Sequence, residues 1–222
     1  MIESILTAAS DLKRPLVEMR QLALTLDGLT VENEKIRAEI VGLGERAIRQ
    51  INDLAKLSKL ASRIYAMDTV AVRGVCDATV RELKKAGIVS AEVDVKYQNK
   101  SRLVVANPEL LEGVIWHLMQ SAIIYNDDDL TAELSVKDEK GTVKVTIRDY
   151  GPALPAKVWR EIQDGLINRP VAVAMRPGSG GLGLYIATRF SHYMHARIGA
   201  VRHRDGASFY INLPVSEQAR LF

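Results

Sequence analysis

The chain has 222 residues, 47% of them hydrophobic and 26% charged, which is typical of a globular protein and excludes a disordered or collagen-like one. Lys and Arg number 30 against 27 Asp and Glu, so a net charge of +3 without long basic runs argues against a nucleic-acid partner. The single cysteine, Cys76, excludes an internal disulfide and the usual cysteine-based zinc sites, which fits a reducing, cytoplasmic compartment. No apolar stretch is long enough to span a bilayer.

The first quarter of the chain has the apolar pattern of a helical hairpin. Apolar residues between Ile2 and Leu26 recur at alternating steps of three and four, which predicts one long helix with a coiled-coil seam. Asp27 and Gly28 interrupt this helix, and Thr30 offers a cap for a second one. The second helix keeps the same spacing to about Tyr65.

This hairpin is expected to form a homodimer. Two amphipathic helices alone bury too little apolar surface, and a second copy of the chain would complete a four-helix bundle. A hairpin packed on the rest of its own chain is the alternative. The long, narrow seam favours the homodimer.

Beyond about Met67 the pattern changes to that of an α+β domain. Helices are predicted near 78–86, at 108–125 and at 182–195, with a loop and short helix at 151–177. Strands are predicted at 91–97, 102–106, 130–138, 142–149, 198–204 and 207–213. The expected domains are therefore a dimerisation hairpin at 1–66 and a second domain at 67–222.

Two segments of the second domain could carry chemistry. Asp149, between Arg148 and Tyr150-Gly151, lies at a predicted strand end, where its carboxylate could accept a hydrogen bond from an exocyclic amine such as that of adenine. The glycines of the segment 178–183 precede a helix, whose bare amides and dipole can hold phosphate. Alone, the signal at Asp149 is weak and the glycine cluster is better explained as a flexible turn, but the order of the two segments favours a nucleotide site.

With the segments Asn107–Tyr125 and Ile198–Pro214, these features give the chain a resemblance to the catalytic core of a bacterial sensor histidine kinase. Asn107–Tyr125 resembles the N box of that family, 149–151 its first glycine box, 178–184 its second, and 198–214 its closing strands. The resemblance implies a helical hairpin followed by an α/β-sandwich ATPase domain of the histidine kinase, gyrase and chaperone superfamily. It also implies ATP or ADP as the cofactor.

The hairpin departs from the family at the phosphoacceptor. The run Asp11 to Leu16 matches the family, but Ser10 stands where it has histidine. All four histidines lie at or beyond His117, so none is on the hairpin. A phosphate ester on serine lacks the reactivity of a phosphoramidate. In the family, the residue four positions after the phosphoacceptor contributes to phosphatase activity, and here that residue is Arg14. No catalytic residue is expected, and a normal phosphorelay is not predicted.

The N box departs as well. Ser121 stands in place of the magnesium-holding asparagine, His117 in place of an Asn or Glu, and Ile124 in place of a lysine, while Ala153 replaces a glycine of the first box. Magnesium is therefore not expected, although Arg169 and Arg176 could contact phosphate. The predicted nucleotide-binding residues are Asp149, Gly151, Gly178, Gly180, Gly181, Gly183, His117, Ser121 and Tyr125.

These features predict a pseudokinase of two-component type that acts by binding partners. A response-regulator receiver domain or another kinase is expected to dock on the face around Ser10 and Arg14. The alternative is an active ATP-dependent kinase with a non-histidine acceptor, such as Ser10 or a residue on a partner protein. An engineered histidine-to-serine variant would explain Ser10, but it would not explain Ser121 and Ile124.

Overall fold

A computed structural model describes residues 16–25, 30–62, 64–86, 93–98, 102–126, 130–167 and 181–217. The chain forms two compact units, which we call the helical unit (Met1–Ile64 and Glu82–Ser90) and the sheet unit (Tyr65–Arg81 and Ala91–Phe222). The predicted partner-docking residues Ser10 and Arg14, with Asp11, lie outside the described residues. No helix within the described ranges is both long and apolar enough to cross a membrane.

Two helices make up most of the helical unit. Residues 16–24 belong to α1, and α2 spans Val31–Lys59, where the Thr30 hydroxyl caps the first turn by accepting from the Asn33 amide. An ion pair between Arg20 and Glu45 joins the two helices. The α-helix ends at Lys59 and a 3₁₀ turn, Leu60–Ser62, follows, so the second helix is a little shorter than the predicted run to about Tyr65.

The sheet unit contains the remaining elements in the order β1 Asp68–Val70, α3 Val72–Lys85 (its last turn in the helical unit), β2 Asp94–Tyr97, β3 Val104–Ala106, α4 Pro108–Tyr125, β4 Glu133–Glu139, β5 Thr142–Asp149, α5 Ala156–Ile167, α6 Leu182–Tyr193, β6 Arg197–His203 and β7 Gly206–Pro214. The five-stranded sheet has the order β2-β4-β5-β7-β6, and β1 pairs with β3 in a second, two-stranded sheet. Only β2 and β4 run parallel, while the other neighbours in the larger sheet are antiparallel. The predicted α+β class is confirmed.

One face of the larger sheet forms the core of this unit. Alternate residues of β5 and β7 are buried, with Val145, Ile147 and Ile211 at most 1% exposed, as strands with one covered face require. Helix α4 packs on β5, and α5 and α6 pack on β6. The opposite face carries the half-exposed polar residues of the strands.

The predicted elements agree with the structure where local signals are strong. Helix α4 has the predicted bounds because Asn107 caps it and Pro108 occupies its first turn. Helix α3 begins at Val72, six residues before the predicted start near Ala78, because Val72 and Cys76 are wholly buried one turn apart and tertiary packing extends the helix. Burial also raises the pKa of the Cys76 thiol to about 12.

Candidate nucleotide-binding site

Asp149 ends strand β5 and lies almost wholly inside the sheet unit. It is 4% exposed, and its Oδ1 accepts a hydrogen bond from the Gly151 amide at 3.2 Å. Across the sheet it pairs with Ala207 of β7, so the carboxylate lies beside a methyl group on the covered face. This arrangement gives a buried acceptor at the strand end, and the position of Asp149 at a strand end was predicted from the sequence.

The turn between β6 and β7 closes around this carboxylate. Gly206 has φ +122°, and a Cβ at this position would lie 2.7 Å from Asp149 Oδ1 and closer still to the Asp149 carbonyl oxygen. Only glycine fits there, because both the backbone conformation and the space exclude a side chain. The sequence identified Asp205-Gly206 as a turn but not as part of the site.

Arg148 connects the same turn to the strand end. Its Nη1 donates to the Asp149 carbonyl, and its Nη2 donates to Asp205 Oδ1 at 2.6 Å. The sequence placed Arg148 next to Asp149 without giving it a role, since its partner Asp205 lies 57 residues away.

Helix α4 supplies a second group of predicted residues on one face. His117, Ser121 and Tyr125 lie at successive steps of four, and Ser121 and Tyr125 are half-buried. The following residue, Asn126, accepts a hydrogen bond from the Tyr150 amide at 2.8 Å through its Oδ1. That contact ties the end of α4 to the end of β5 and was not predicted.

His117 packs against the first turn of α6. It is 3% exposed, and a Cβ on Gly183 would lie 3.3 Å from its Nδ1, which is tighter than an ordinary contact. The structure thus brings together two predicted site residues, His117 and Gly183. The small size of Gly183 lets α6 approach the imidazole.

The predicted phosphate loop is described only in its last part. Gly181, at φ +69°, immediately precedes α6, and Gly183 lies in the first turn. Amides at a helix start and the helix dipole favour an anion. Gly178 and Gly180, together with Arg169 and Arg176, lie outside the described residues.

Comparisons with known proteins agree with this fold. The model of the "Histidine kinase-, DNA gyrase B-, and HSP90-like ATPase" family matches residues 106–217, just over half of the chain, and the chain belongs to that family. It is 21% identical over 238 residues to the hybrid signal transduction histidine kinase K of Dictyostelium discoideum, and the matched region covers 97% of this chain and 19% of that protein. It is 24% identical over 211 residues to the heme sensor protein HssS of Staphylococcus haemolyticus, which covers 92% and 45%.

A solved structure has a similar fold. Full-length ShkA in complex with AMPPNP matches with a TM-score of 0.66 at 18% identity, which covers 97% of this chain and 47% of that chain. The predicted fold, a helical N-terminal region followed by an α/β ATPase domain of the histidine kinase type, is confirmed. The chain spans less than half the length of the two curated relatives.

Proposed function

We propose that the chain is a cytoplasmic, dimeric signalling protein of the histidine-kinase type that binds ATP or ADP without phosphorylating itself. The observation that carries this proposal is Asp149, a buried carboxylate whose orientation is fixed at the end of β5. An exocyclic amine such as that of adenine suits such an acceptor, since its N–H groups can donate to a carboxylate, which only accepts.

The start of α6 supports the phosphate half of the site. Gly181 and Gly183 lie at the helix start, where backbone amides and the helix dipole favour an anion. The residues present therefore fit a nucleotide.

The residues of the predicted site on α4 do not fit magnesium. Mg²⁺ prefers carboxylate and carbonyl oxygens, whereas this face of α4 offers the Ser121 hydroxyl, a buried imidazole at His117 and the apolar Ile124, which is 49% exposed. Phosphoryl transfer depends on a metal ion and cations to neutralise developing charge. Binding without transfer is the function that this composition favours.

The helical region supports a partner-binding role. No histidine precedes His117, so no histidine of residues 1–66 can accept a phosphoryl group. Apolar residues of the predicted seam, Met19, Ile36 and Leu43, are 50–56% exposed in the single chain, which supports a homodimer. We place the docking face for a response-regulator receiver domain or another kinase around Ser10 and Arg14.

The experiment is calorimetric titration of the chain with ATP and with ADP, each with magnesium and with a chelator. We expect binding of both nucleotides that is little affected by chelation. Strong magnesium dependence, together with labelled phosphate entering the chain or a partner, would instead establish an active kinase. Absence of binding to either nucleotide would refute the proposal.

Two variants localise the binding. Asp149→Ala should abolish nucleotide affinity and leave the dimer intact, because the hairpin and the pocket are separate modules. Asp68→Asn is the matched control, since Asp68 is an exposed aspartate of β1 in the same sheet unit. The control should bind like the unaltered chain, and loss of both binding and dimer in Asp149→Ala would contradict the division into modules.

A further inference from the structure

The guanidinium of Arg148 is held in place more firmly than a surface arginine of a strand would be. Its side chain is only 13% exposed, and its two terminal nitrogens make four contacts. Nη1 donates to the carbonyls of Asp149 and, at 3.4 Å, Ala207, while Nη2 donates to Asp205 Oδ1 at 2.6 Å and to the Asp205 carbonyl at 3.2 Å. One cation therefore bridges the end of β5, the start of β7 and the turn before β7.

These contacts surround the carboxylate that the proposed function uses. Asp149 and Ala207 are direct partners across the sheet, and Arg148 binds the main-chain carbonyl of each. The turn that it holds through Asp205 includes Gly206, whose backbone lies against Asp149 Oδ1. The position of the turn thus limits the orientations open to the carboxylate.

A chain of polar contacts supports Arg148 from the exposed face of the sheet. Its guanidinium lies 4.5 Å from the centre of the Tyr150 ring, and the Tyr150 hydroxyl donates to Glu133 Oε1 at 2.6 Å. Lys96 of β2 binds the other Glu133 oxygen at 3.1 Å. The hydrogen bond from Tyr150 is the main reason that the pKa of Glu133 lies below its usual value, so Glu133 stays ionised and keeps Tyr150 in place.

We propose that Arg148 is a positioning residue that orients Asp149, so that the site prefers a purine carrying a 6-amino group. The inference rests on the proposed nucleotide function and specifies its selectivity. Arg148 itself does not contact the nucleotide. It acts through the carbonyl of Asp149 and through the turn that contains Gly206.

The test compares ATP with purine riboside triphosphate, which lacks the 6-amino group, in calorimetric titrations of the full chain. The unaltered chain should prefer ATP. Arg148→Met, which keeps an unbranched side chain but removes every donor, should lose about tenfold in ATP affinity, as expected for hydrogen bonds to a charged group. Affinity for the analogue should stay unchanged, so that the preference disappears.

Lys144→Met is the matched control. Lys144 lies on the same strand and the same face, its Nζ is 4.3 Å from the centre of the Tyr210 ring, and it pairs with Glu139 at 3.5 Å. This control should keep the preference for ATP. Arg148→Lys should behave like Arg148→Met, because one ammonium cannot bridge two carbonyls and a carboxylate in the way a planar fork does.

Asp205→Asn guards against a failure of Arg148→Met to fold. It keeps the turn but removes the charge from the Asp205 side chain that binds Nη2. We expect the preference for ATP to fall by about a third of the change seen in Arg148→Met, in line with one weakened hydrogen bond. Unchanged selectivity in Arg148→Met, or an equal loss of affinity for both nucleotides, would overturn the proposal, because the second result is what a purely structural role produces.

A measurement without nucleotide separates this inference from the proposed function. The amide ¹H and ¹⁵N resonances of Gly151 report the orientation of the carboxylate to which this amide donates, and they should shift in Arg148→Met but not in Lys144→Met. If the unaltered chain binds neither nucleotide, the proposed function fails while these shifts still support the positioning role. Absence of the shifts would overturn it.

Discussion

The helical unit and the sheet unit differ in how they use their apolar residues. In the sheet unit the largest buried side chains, among them Phe190, Leu118 and Ile186, are at most 1% exposed. In the helical unit Met19, Leu22 and Leu43 are 52–68% exposed, while an acidic side chain, Asp53, is wholly buried between Arg49 and Lys56. A unit that exposes its apolar side chains needs another surface to cover them, whereas the sheet unit has completed its own core.

The two units can be followed separately in the intact chain. No aromatic residue precedes Tyr65, and both tryptophans, Trp116 and Trp159, lie in the sheet unit. Tryptophan fluorescence therefore reports unfolding of the sheet unit alone, while circular dichroism reports the helices of both. Differences between the two signals measure how independent the units are.

The largest expected effect comes from charging the exposed seam of the helical unit. Met19→Glu combined with Leu43→Glu should weaken the proposed homodimer by at least about a thousandfold, since each carboxylate would have to be desolvated at the interface. Analytical ultracentrifugation measures the change, and the tryptophan transition should not move.

Val31→Glu is the control for this experiment. Val31 is 77% exposed but lies off the predicted seam. A dimer that survives the double substitution would show that the predicted seam is not its interface, whereas an unaltered chain that is monomeric would favour the alternative, in which the hairpin packs on the rest of its own chain.

The next largest effect should come from Gly206→Ala, which should destabilise the sheet unit at the proposed nucleotide site. The positive φ of +122° costs an alanine about 1–2 kcal/mol, and overlap with Asp149 adds roughly 1–3 kcal/mol. Tryptophan-monitored unfolding by urea should show this loss, and nucleotide affinity should fall with it.

Gly141→Ala separates the two causes. Gly141 also lies in a β-hairpin turn, with φ +83°, but a Cβ there meets no atom within 4 Å. Its replacement should show only the backbone cost of about 1–2 kcal/mol and leave nucleotide affinity unchanged. Equal losses in the two variants would mean that the Gly206 turn does not press on Asp149.

Local signals predicted the elements of the sheet unit that these experiments rely on. The bounds of α4 follow from Asn107 and Pro108, and Asp149 could be placed at a strand end because the residues of β5 alternate before it. Strand β1 was missed, since three residues paired with β3 carry no periodic signal.

Contacts between distant segments could not be predicted. The partners of Arg148 lie 57 and 59 residues away, and only the pairing of β5 with β7 brings them together. The contact of His117 with Gly183 likewise depends on how closely α4 and α6 pack. The sequence predicted both residues as members of the site without revealing that they touch.

A smaller effect tests that contact. Gly183→Ala would place a Cβ 3.3 Å from His117 Nδ1, and we expect a destabilisation of the sheet unit of about 1 kcal/mol from overpacking. In a His117→Ala background the same substitution should instead stabilise by roughly 0.5–1 kcal/mol, because alanine is the better helix former once the space is open.

Gly74→Ala is the reference for this cycle. Gly74 lies in α3, where a Cβ would meet no atom within 4 Å, so its replacement should stabilise in both backgrounds. Additive effects of the His117 and Gly183 substitutions would show that the imidazole does not limit the approach of α6.

The smallest expected effect concerns the phosphate end of the proposed site. Ile124→Lys should raise ATP affinity about two- to fivefold at low salt, as expected for one exposed ion pair, and should raise it more for ATP than for ADP. Stability should hardly change, since Ile124 is already 49% exposed and carries little of the core.

Val201→Lys is the matched control, because Val201 is 44% exposed on the edge strand β6. An equal gain from Val201→Lys would assign the effect to net charge, whereas a gain confined to Ile124→Lys would show that this face of α4 lies near the phosphates. The sheet unit would then retain a site that one cation improves, while the helical unit would still lack an acceptor histidine.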